Sequence, residues 1–493
     1  MTMLRTLVYP PDFSAYQGIL DVVRSHAQAR STRVILIGGA VRNALLGKAL
    51  HDLDFAVQGN AIGLARTVAD ALDGAFYIMD AERGTARVIL NEPTFELDFA
   101  VCRGATWTED VFARDFTVNA IGCDLTTAQL IDPALGVRDL QHGLMRAVSD
   151  HAIEDDPVRA LRAVRQAHQL QFAIEPATLA RVQAIDAAIL QPSAERLRDE
   201  VLAICALPNA AQAIQQLDGL GLLRHLVPEV EAMRECTQSP PHRFNVLAHT
   251  WQVMNRLDGL IAAGVESYDP QQPDIAGLVA QLHAQLERPT SNTKRVALLR
   301  LATLLHDCGK PAVRTIDADG RIRFFDHERV GAMLAHKRAV ALKLSSDEAD
   351  QVNRTIRHHM RLNHFARMPG PPTLRAMYRF AKETGDTAPE LALFAMADCY
   401  GKRGEDTEPA DCAPSQRMAT HILALYYQRF DAAVAPAPLL TGKSLLDMGM
   451  TPGPQIGKLL AELREAQMTG ELNTSEQARA WASAWLKRAL LSR

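Results

Sequence analysis

The stretch Val34-Ile-Leu-Ile-Gly-Gly-Ala-Val-Arg-Asn-Ala-Leu-Leu-Gly47, followed by His51-Asp-Leu-Asp-Phe-Ala-Val57, decides how the chain is read. Val34 to Ile37 is a short, apolar, β-branched run of strand type. Gly38-Gly39 permits a tight turn and lets a phosphate approach backbone N–H groups with no Cβ in the way. A helix start follows, then a second strand on which Asp52 and Asp54 stand two apart and point to one face. Two carboxylates on one face suit a hard divalent cation, and Mg²⁺ takes one or two carboxylates together with substrate phosphates. The two features in this order predict phosphoryl or nucleotidyl transfer. Taken singly, a double glycine or an Asp-x-Asp pair reads as an ordinary turn or strand edge.

Around this stretch, residues 31–150 carry strand patterns at 34–37, 53–57, 76–79, 86–90, 95–101 and 120–124, with a helix at 61–72. Ahead of it, residues 1–30 read as a lead-in and a helix over 16–29. From Asp155 the pattern is helical and strand-free to about Pro228, which predicts an all-α neck over 151–240. A further helical region, 241–400, holds most of the histidines. Within it, 262–294 is richer in Pro, Gln, Ser and Asn and reads as an insertion or loop. Residues 401–435 read as linker and helix, with 401–415 polar and linker-like. The end, 436–493, reads as two short helices around the turn at Pro452-Gly-Pro454. The expected fold class is α+β: an α/β head followed by all-α regions.

Composition bounds the rest. At 493 residues the chain is expected to form about three domains or more. Formal net charge is −4, so no global basic excess announces nucleic acid, and an RNA partner needs a local basic stripe. No signal-peptide pattern and no apolar run of membrane-spanning length is visible, which predicts a cytoplasmic protein with no membrane partner. The seven cysteines (Cys102, Cys123, Cys205, Cys236, Cys308, Cys399, Cys412) are scattered and never in CxxC spacing. Reduced thiols are therefore expected.

Gly38-Gly39-x-Val41-Arg42, Leu45-Leu46-Gly47 and Asp52-x-Asp54 resemble the head signature of class II tRNA nucleotidyltransferases and bacterial poly(A) polymerases. The resemblance continues through Arg114-Asp-Phe-Thr-Val-Asn-Ala120, Asp132-Pro with Gly136 and Asp139-Leu140, Asp155-Asp-Pro-Val-Arg-Ala-Leu-Arg-Ala163 and Ser193-Ala-Glu-Arg196. The tail resembles that of HD-bearing CCA-adding enzymes. The resemblance implies untemplated addition of C and/or A to the tRNA 3′ end from CTP and ATP, with Mg²⁺ on Asp52 and Asp54. Gly38, Gly39 and Arg42 would then lie at the nucleotide. Arg114, Asp115 and Asn119 resemble the motif that binds the triphosphate and the ribose, and the planar fork of Arg suits phosphate. The family often has a second Arg where this chain has Ala113, and an Asp where it has Asn43. Asp98 is either a third carboxylate on the metal side or a structural helper.

Asp156 and Arg159, three apart on the expected helix, share a face, with Asp155 before them and Arg162 one turn on. A carboxylate accepts from N4 of cytosine or N6 of adenine, and a guanidinium donates to the same base edge. The resemblance makes this motif the protein template, although Glu is usual at Asp155. A surface salt bridge is the plainer reading of the same spacing.

His249, His306-Asp307 and Asp398 follow the H…HD…D order of the HD phosphohydrolase superfamily, which the 304–310 segment resembles. Imidazole with carboxylate suits Mn²⁺, Ni²⁺ or a similar transition metal more than a structural zinc. His327 and one of His358 and His359 are candidates for a second metal or a phosphate. Such a site implies a phosphodiesterase or phosphatase acting on RNA ends.

Only fifteen residues separate Asp98 from Arg114. Many full CCA-adding relatives carry a flexible, Arg- and Tyr-bearing loop here, and its absence marks enzymes that stop after two C residues. Full CCA addition is the default reading and CC-only addition its alternative; residues 103–110 are a possible substitute lever. A poly(A) polymerase would share head and neck but carry a basic tail in place of the HD segment. A phosphohydrolase with an inactive, RNA-binding head would have no need of both Asp52 and Asp54.

Overall fold

The computed structural model describes residues 4–91, 94–264, 268–269, 271–431 and 435–491. Parts of the expected lead-in, of the 262–294 insertion, of the 401–435 stretch and of the tail lie outside the described residues. The chain forms two compact units, Met1–Glu200 with Gln216–His225, and Val201–Gln215 with Leu226–Arg493. The neck stretch 151–240 therefore contributes to both.

The first unit is built on a seven-stranded mixed sheet: β1 (Arg33–Ile37), β2 (Asp52–Gln58), β3 (Ala75–Asp80), β4 (Thr85–Asn91), β5 (Thr94–Val101), β6 (Gly122–Asp124) and β7 (Leu130–Ile131). Their order is β3-β4-β5-β2-β1-β6-β7. Only β2 and β5 run parallel, with Asp52 opposite Glu96 and Asp54 opposite Asp98. One register step on, Phe55 and Phe99 stack with centroids 4.8 Å apart and lock the pair. Beyond Arg33, β1 is buried along its whole length, as its unbroken Val-Ile-Leu-Ile run requires of a central strand.

Helix α1 (Gln17–Ala29) packs on α3 (Ala61–Leu72), while α2 (Gly39–Leu45) leaves the turn that ends β1. Asn60 caps α3 by accepting from the Gly63 N–H at 2.8 Å. After β5 come α4 (Trp107–Phe112), α5 (Gly136–His142) and α6 (Val158–Leu170). The neck is not strand-free, because Ala173–Ile174 pairs in parallel with Leu144–Met145. Two-residue strands leave no periodicity in the sequence to read.

The second unit is mainly helical around a core that includes Leu257, Leu282, Leu299, Phe380, Phe394 and Ile422. The expected insertion 262–294 holds a helix, Ile275–Glu287, with Leu278, Leu282 and Leu286 buried at helical spacing. Polar residues around that stripe masked it in the composition. Two short hairpins also interrupt the helical region, Pro289–Thr290 with Thr293–Lys294 and Thr315–Ile316 with Ile322–Arg323.

The expected linker 401–415 already contains the start of helix Pro409–Leu425 and packs against helix Ala388–Gly401. That packing joins Cys399 to Cys412 in a disulfide with Cα atoms 5.8 Å apart, which corrects the expectation of seven reduced thiols. The other five cysteines are free and buried. Three helices, Gly442–Asp447, Pro454–Met468 and Ser475–Leu491, form the tail around Leu445, Leu459 and Leu463. No described helix is long and apolar enough to cross a membrane.

Candidate functional sites

Asp52 and Asp54 lie on β2, beside Asp98 on β5. Burial pushes the Asp54 carboxyl up to about 7, and the neighbouring charges of Asp52 and Asp98 push the same way. Burial and Asp98 also raise Asp52. Two carboxylates that resist ionising together form a donor set with affinity for a divalent cation. Arg87 grips Asp98 through Nε and Nη2 at 2.7 and 2.8 Å and reaches Glu96 at 2.6 Å. Asp98 is thus already paired with a cation, whereas Asp52 and Asp54 have no salt bridge among the described residues.

Gly38 closes over this pair with φ +84°, and a Cβ there would stand 3.0 Å from Asp54 Oδ2. The positive φ favours glycine, and any Cβ would also crowd the Asp54 carboxylate. Arg42, one turn into α2, is half-buried, and desolvation lowers its pKa. Its Nη1 donates to Asn119 Oδ1, and its Nε and Nη2 donate to Asn43 Oδ1 at 3.1 and 3.0 Å. The Asn that replaces a usual Asp therefore orients Arg42 without neutralising it.

Asn119 Nδ2 in turn donates to Asp115 Oδ1 at 3.0 Å and to Gln166 at 2.8 Å. Asp115 is buried, yet Arg162 and the hydrogen bonds from Asn119 and the Phe116 N–H outweigh burial and hold it below the usual carboxylate range. Arg162 bridges Asp115 and Glu200, each at 3.0 Å, and Glu200 also holds Arg165 at 2.6 Å. Arg114 pairs with buried Asp110 at 2.7 Å, and Asp110 accepts from the Arg103 N–H at 2.8 Å. Gln166 and Glu200 escaped the sequence reading, since only the fold brings them to Asn119 and to Arg162, whereas the Asp110–Arg114 pair has a four-residue spacing that the sequence offers.

The neck motif differs in detail from its expectation. Helix α6 begins at Val158, so Asp156 precedes it rather than sharing its face with Arg159. Arg159 Nε still lies 3.7 Å from Asp156 Oδ2, while its other nitrogens donate to the carbonyls of Arg114 (2.8 Å), Ala152 (3.0 Å) and Ala113 (3.0 Å). Asp156 is held bidentately by Arg196 at 3.0 and 2.6 Å. That arginine is the last residue of the Ser193-Ala-Glu-Arg196 motif. Asp155 is exposed.

In the second unit, His249, His306, Asp307, His327, His359 and Asp398 are brought together and buried. Each histidine Nδ1 faces a backbone carbonyl: Gly401 at 3.0 Å, Thr303 at 2.8 Å, Phe324 at 2.8 Å and Ile356 at 2.6 Å. That contact fixes Nδ1 as a donor and turns each Nε2 toward the cluster, where it can ligate a metal that displaces any proton held there. All four Nε2 atoms converge on Asp307, at 3.7, 3.1, 3.5 and 3.9 Å in chain order.

The set divides into two triads that share this carboxylate, His249–His306–Asp307 and Asp307–His327–His359. His358, the neighbour that the sequence left as an option, lies outside both. Asp398 stands 3.2 Å from His249 Nε2 and accepts from Asn363 at 2.7 Å. Although burial opposes it, His306 and Lys310 keep Asp307 ionised, and Lys402 and His249 do so for Asp398. Burial and the neighbouring His327 press His359 down to about 3, so it is neutral. His249 Nε2, His306 Nε2 and both Asp307 oxygens are buried without a hydrogen bond of good geometry among the described residues. Such orphaned donors fit a bound metal.

Three family descriptions match in the order of the elements just described: "Poly A polymerase head domain" over residues 34–146, "Probable RNA and SrmB- binding site of polymerase A" over 171–234, and "HD domain" over 275–400. The chain is 34% identical over 458 residues to the A-adding tRNA nucleotidyltransferase of Deinococcus radiodurans, covering 91% of this chain and 95% of that protein. It is 30% identical to the CC-adding tRNA nucleotidyltransferase of a Synechocystis strain, covering 91% and 92%. Its fold is similar to that of a CCA-adding enzyme solved with CTP, with TM-score 0.62 at 19% identity over 99% of this chain and 100% of that one. Identity at this level over nearly the whole length of both proteins decides the matter: this chain belongs to the tRNA nucleotidyltransferase family.

Proposed function

We propose that the first unit transfers cytidylate or adenylate from CTP or ATP to the 3′-hydroxyl of tRNA, with Asp52 and Asp54 as its metal ligands. The observation that carries this reading is the Asp52/Asp54 couple beneath the glycine turn, without a salt bridge among the described residues, next to an Asp98 that is ion-paired with Arg87. Mg²⁺ held by the couple would supply a positive centre against the negative charge on the oxygens of the transferred phosphoryl group. Arg42 and Arg114 are the cations placed to meet the triphosphate, and the Asp115–Asn119–Arg162 network sets their surroundings. In the second unit, the four histidines with Asp307 and Asp398 form a metal-dependent phosphohydrolase centre, with Mn²⁺ or Ni²⁺ suited to the donors.

Base choice rests on Asp156 and Arg159. Asp156→Asn keeps the shape but replaces one acceptor oxygen by a donor. It is expected to lower discrimination for C and A against U and G by about tenfold to a hundredfold, the worth of one base-edge contact. Misincorporation ratios measured with the four NTPs in turn check this, and an unchanged ratio removes Asp156 from the template. Arg159→Ala is the coarser variant, because it also strips a partner from three carbonyls.

Within the family, we favour addition of the two C residues alone. Residues 99–113 contain no long loop: five residues, Cys102 to Thr106, join β5 to α4, whose capping box of Thr106 and Glu109 and buried Trp107 tie the segment down. This stretch therefore offers little to act as a lever that resets the base pocket for a purine. The relative that adds A favours a second reading, A addition to a tRNA already ending in CC. One assay separates them. CTP on tRNA lacking its 3′ end gives brisk CC addition in the first case and none in the second, while ATP on tRNA ending in CC gives the converse. Activity in both arms restores full CCA addition.

A further inference from the structure

We infer that Phe325, at the cavity over the histidine cluster, is the platform on which the base of a phosphorylated nucleoside stacks. The inference rests on reading the cluster as a phosphohydrolase centre and adds a residue that sets how tightly that centre holds its substrate. The cavity has a volume of about 520 Å³ and reaches Asp307, His327, His359 and Asp398 at its floor. That volume lies within the range of pockets that enclose a small ligand.

Its wall carries five cations, Lys310, Arg321, Arg323, Arg367 and Lys402, against two acids, Asp326 and Glu328, an excess suited to a phosphate held against the floor. Phosphate chemistry alone leaves the aromatic at the rim unexplained. Phe324 and Phe325 join the hairpin strand Ile322–Arg323 to helix His327–Ala341, and the two have different surroundings. The Phe324 carbonyl holds His327 Nδ1 at 2.8 Å, and its ring lies 5.4 Å from the Lys310 ammonium. Phe325 lines the same cavity but is 72% exposed, with no ring or cation contact among the described residues.

An exposed phenylalanine is unremarkable when it stands alone on a surface. Here it flanks a cavity of small-ligand size with cations on its wall, the arrangement by which proteins hold a nucleotide without reading its sequence: charge for the phosphate and a π-face for the base. A free nucleotide and the terminal nucleotide of an RNA offer the same chemistry.

The test is equilibrium binding to the full-length protein with Mn²⁺, comparing wild type, Phe325→Ala and Phe325→Trp. The ligands are 3′-AMP, a short RNA ending in a 3′-phosphate, and inorganic phosphate. Phe325→Ala is expected to weaken 3′-AMP or the RNA end by between about fivefold and about a hundredfold, to leave inorganic phosphate unchanged, and to be rescued by Phe325→Trp. A Phe325 effect on the RNA alone assigns the site to an RNA terminus, and an effect on both assigns it to any phosphorylated nucleoside. Equal 3′-AMP and RNA affinities in wild type and Phe325→Ala overturn the inference, as does an equal loss for inorganic phosphate. Hydrolysis of glycerol phosphate, which has no base, is followed in parallel. Its absence from the wild type overturns the phosphohydrolase reading, whereas its presence without any Phe325 effect on binding overturns only the nucleoside platform.

Discussion

Asp52→Ala and Asp54→Ala are each expected to lower kcat for nucleotide addition by about a thousandfold or more, with tRNA affinity nearly kept. A metal that neutralises developing phosphoryl charge is worth several kcal/mol, and each ~1.4 kcal/mol is tenfold in rate. The loss belongs to turnover because the proposed ligands act on charge that appears only in the transition state. The fold should survive. Asp54 is already pushed up to about 7 by burial and by Asp52 and Asp98, so the metal-free protein holds a repulsion that substitution relieves. Asp54→Asn should therefore have a Tm at or above that of the wild type without metal while being inactive with it. Single-turnover incorporation and thermal melts on the same preparations check both halves. Near-normal turnover in either alanine variant takes the pair out of the reaction.

The parts of this site that were legible in the sequence are those encoded by local period and turn chemistry. The β-branched run of β1, the double-glycine turn and the alternation that points Asp52 and Asp54 to one face are short-range properties, and the structure places them as expected. What pairs with what was not legible. Asp98 sits beside Asp54 through the parallel register of β2 and β5, and Arg87 reaches it from β4; neither follows from spacing. Asp156 was weighed against Arg159, three residues away, yet its closer partner is Arg196, forty residues on. Side-chain pairing over such separations depends on how helices pack.

The same limit explains His358 and His359. Consecutive helical residues point about 100° apart, so one of them faces the cluster, and only packing says which. Composition misled in two places, the helix Ile275–Glu287 and the start of the helix Pro409–Leu425, where an apolar stripe is diluted by polar neighbours.

Asp307 is the residue on which the second centre turns, and its removal is expected to have the broadest effect there. Its two oxygens stand between the triads, so Asp307→Ala should abolish binding of both metals that the geometry accommodates. His249→Ala and His359→Ala each remove a ligand from one triad only and should leave roughly half the metal of the wild type. His306→Ala belongs with His249. Phosphodiesterase and phosphatase activity should disappear in the Asp307 and His306 variants, while nucleotide addition by the first unit persists. Loss of the carboxylate also leaves the Lys310 ammonium, 2.6 Å from it, without an anionic partner, held by Gln238 and the face of Phe324. Breaking a buried ion pair on one side costs about 3 kcal/mol or more, so Asp307→Ala should melt earlier than His359→Ala. Metal analysis after Mn²⁺ or Ni²⁺ loading, alongside incorporation assays, reads all of this on four variants. Wild-type protein that takes up no metal under those conditions refutes the ligand assignment, and equal metal content in Asp307→Ala and His359→Ala refutes the bridging role.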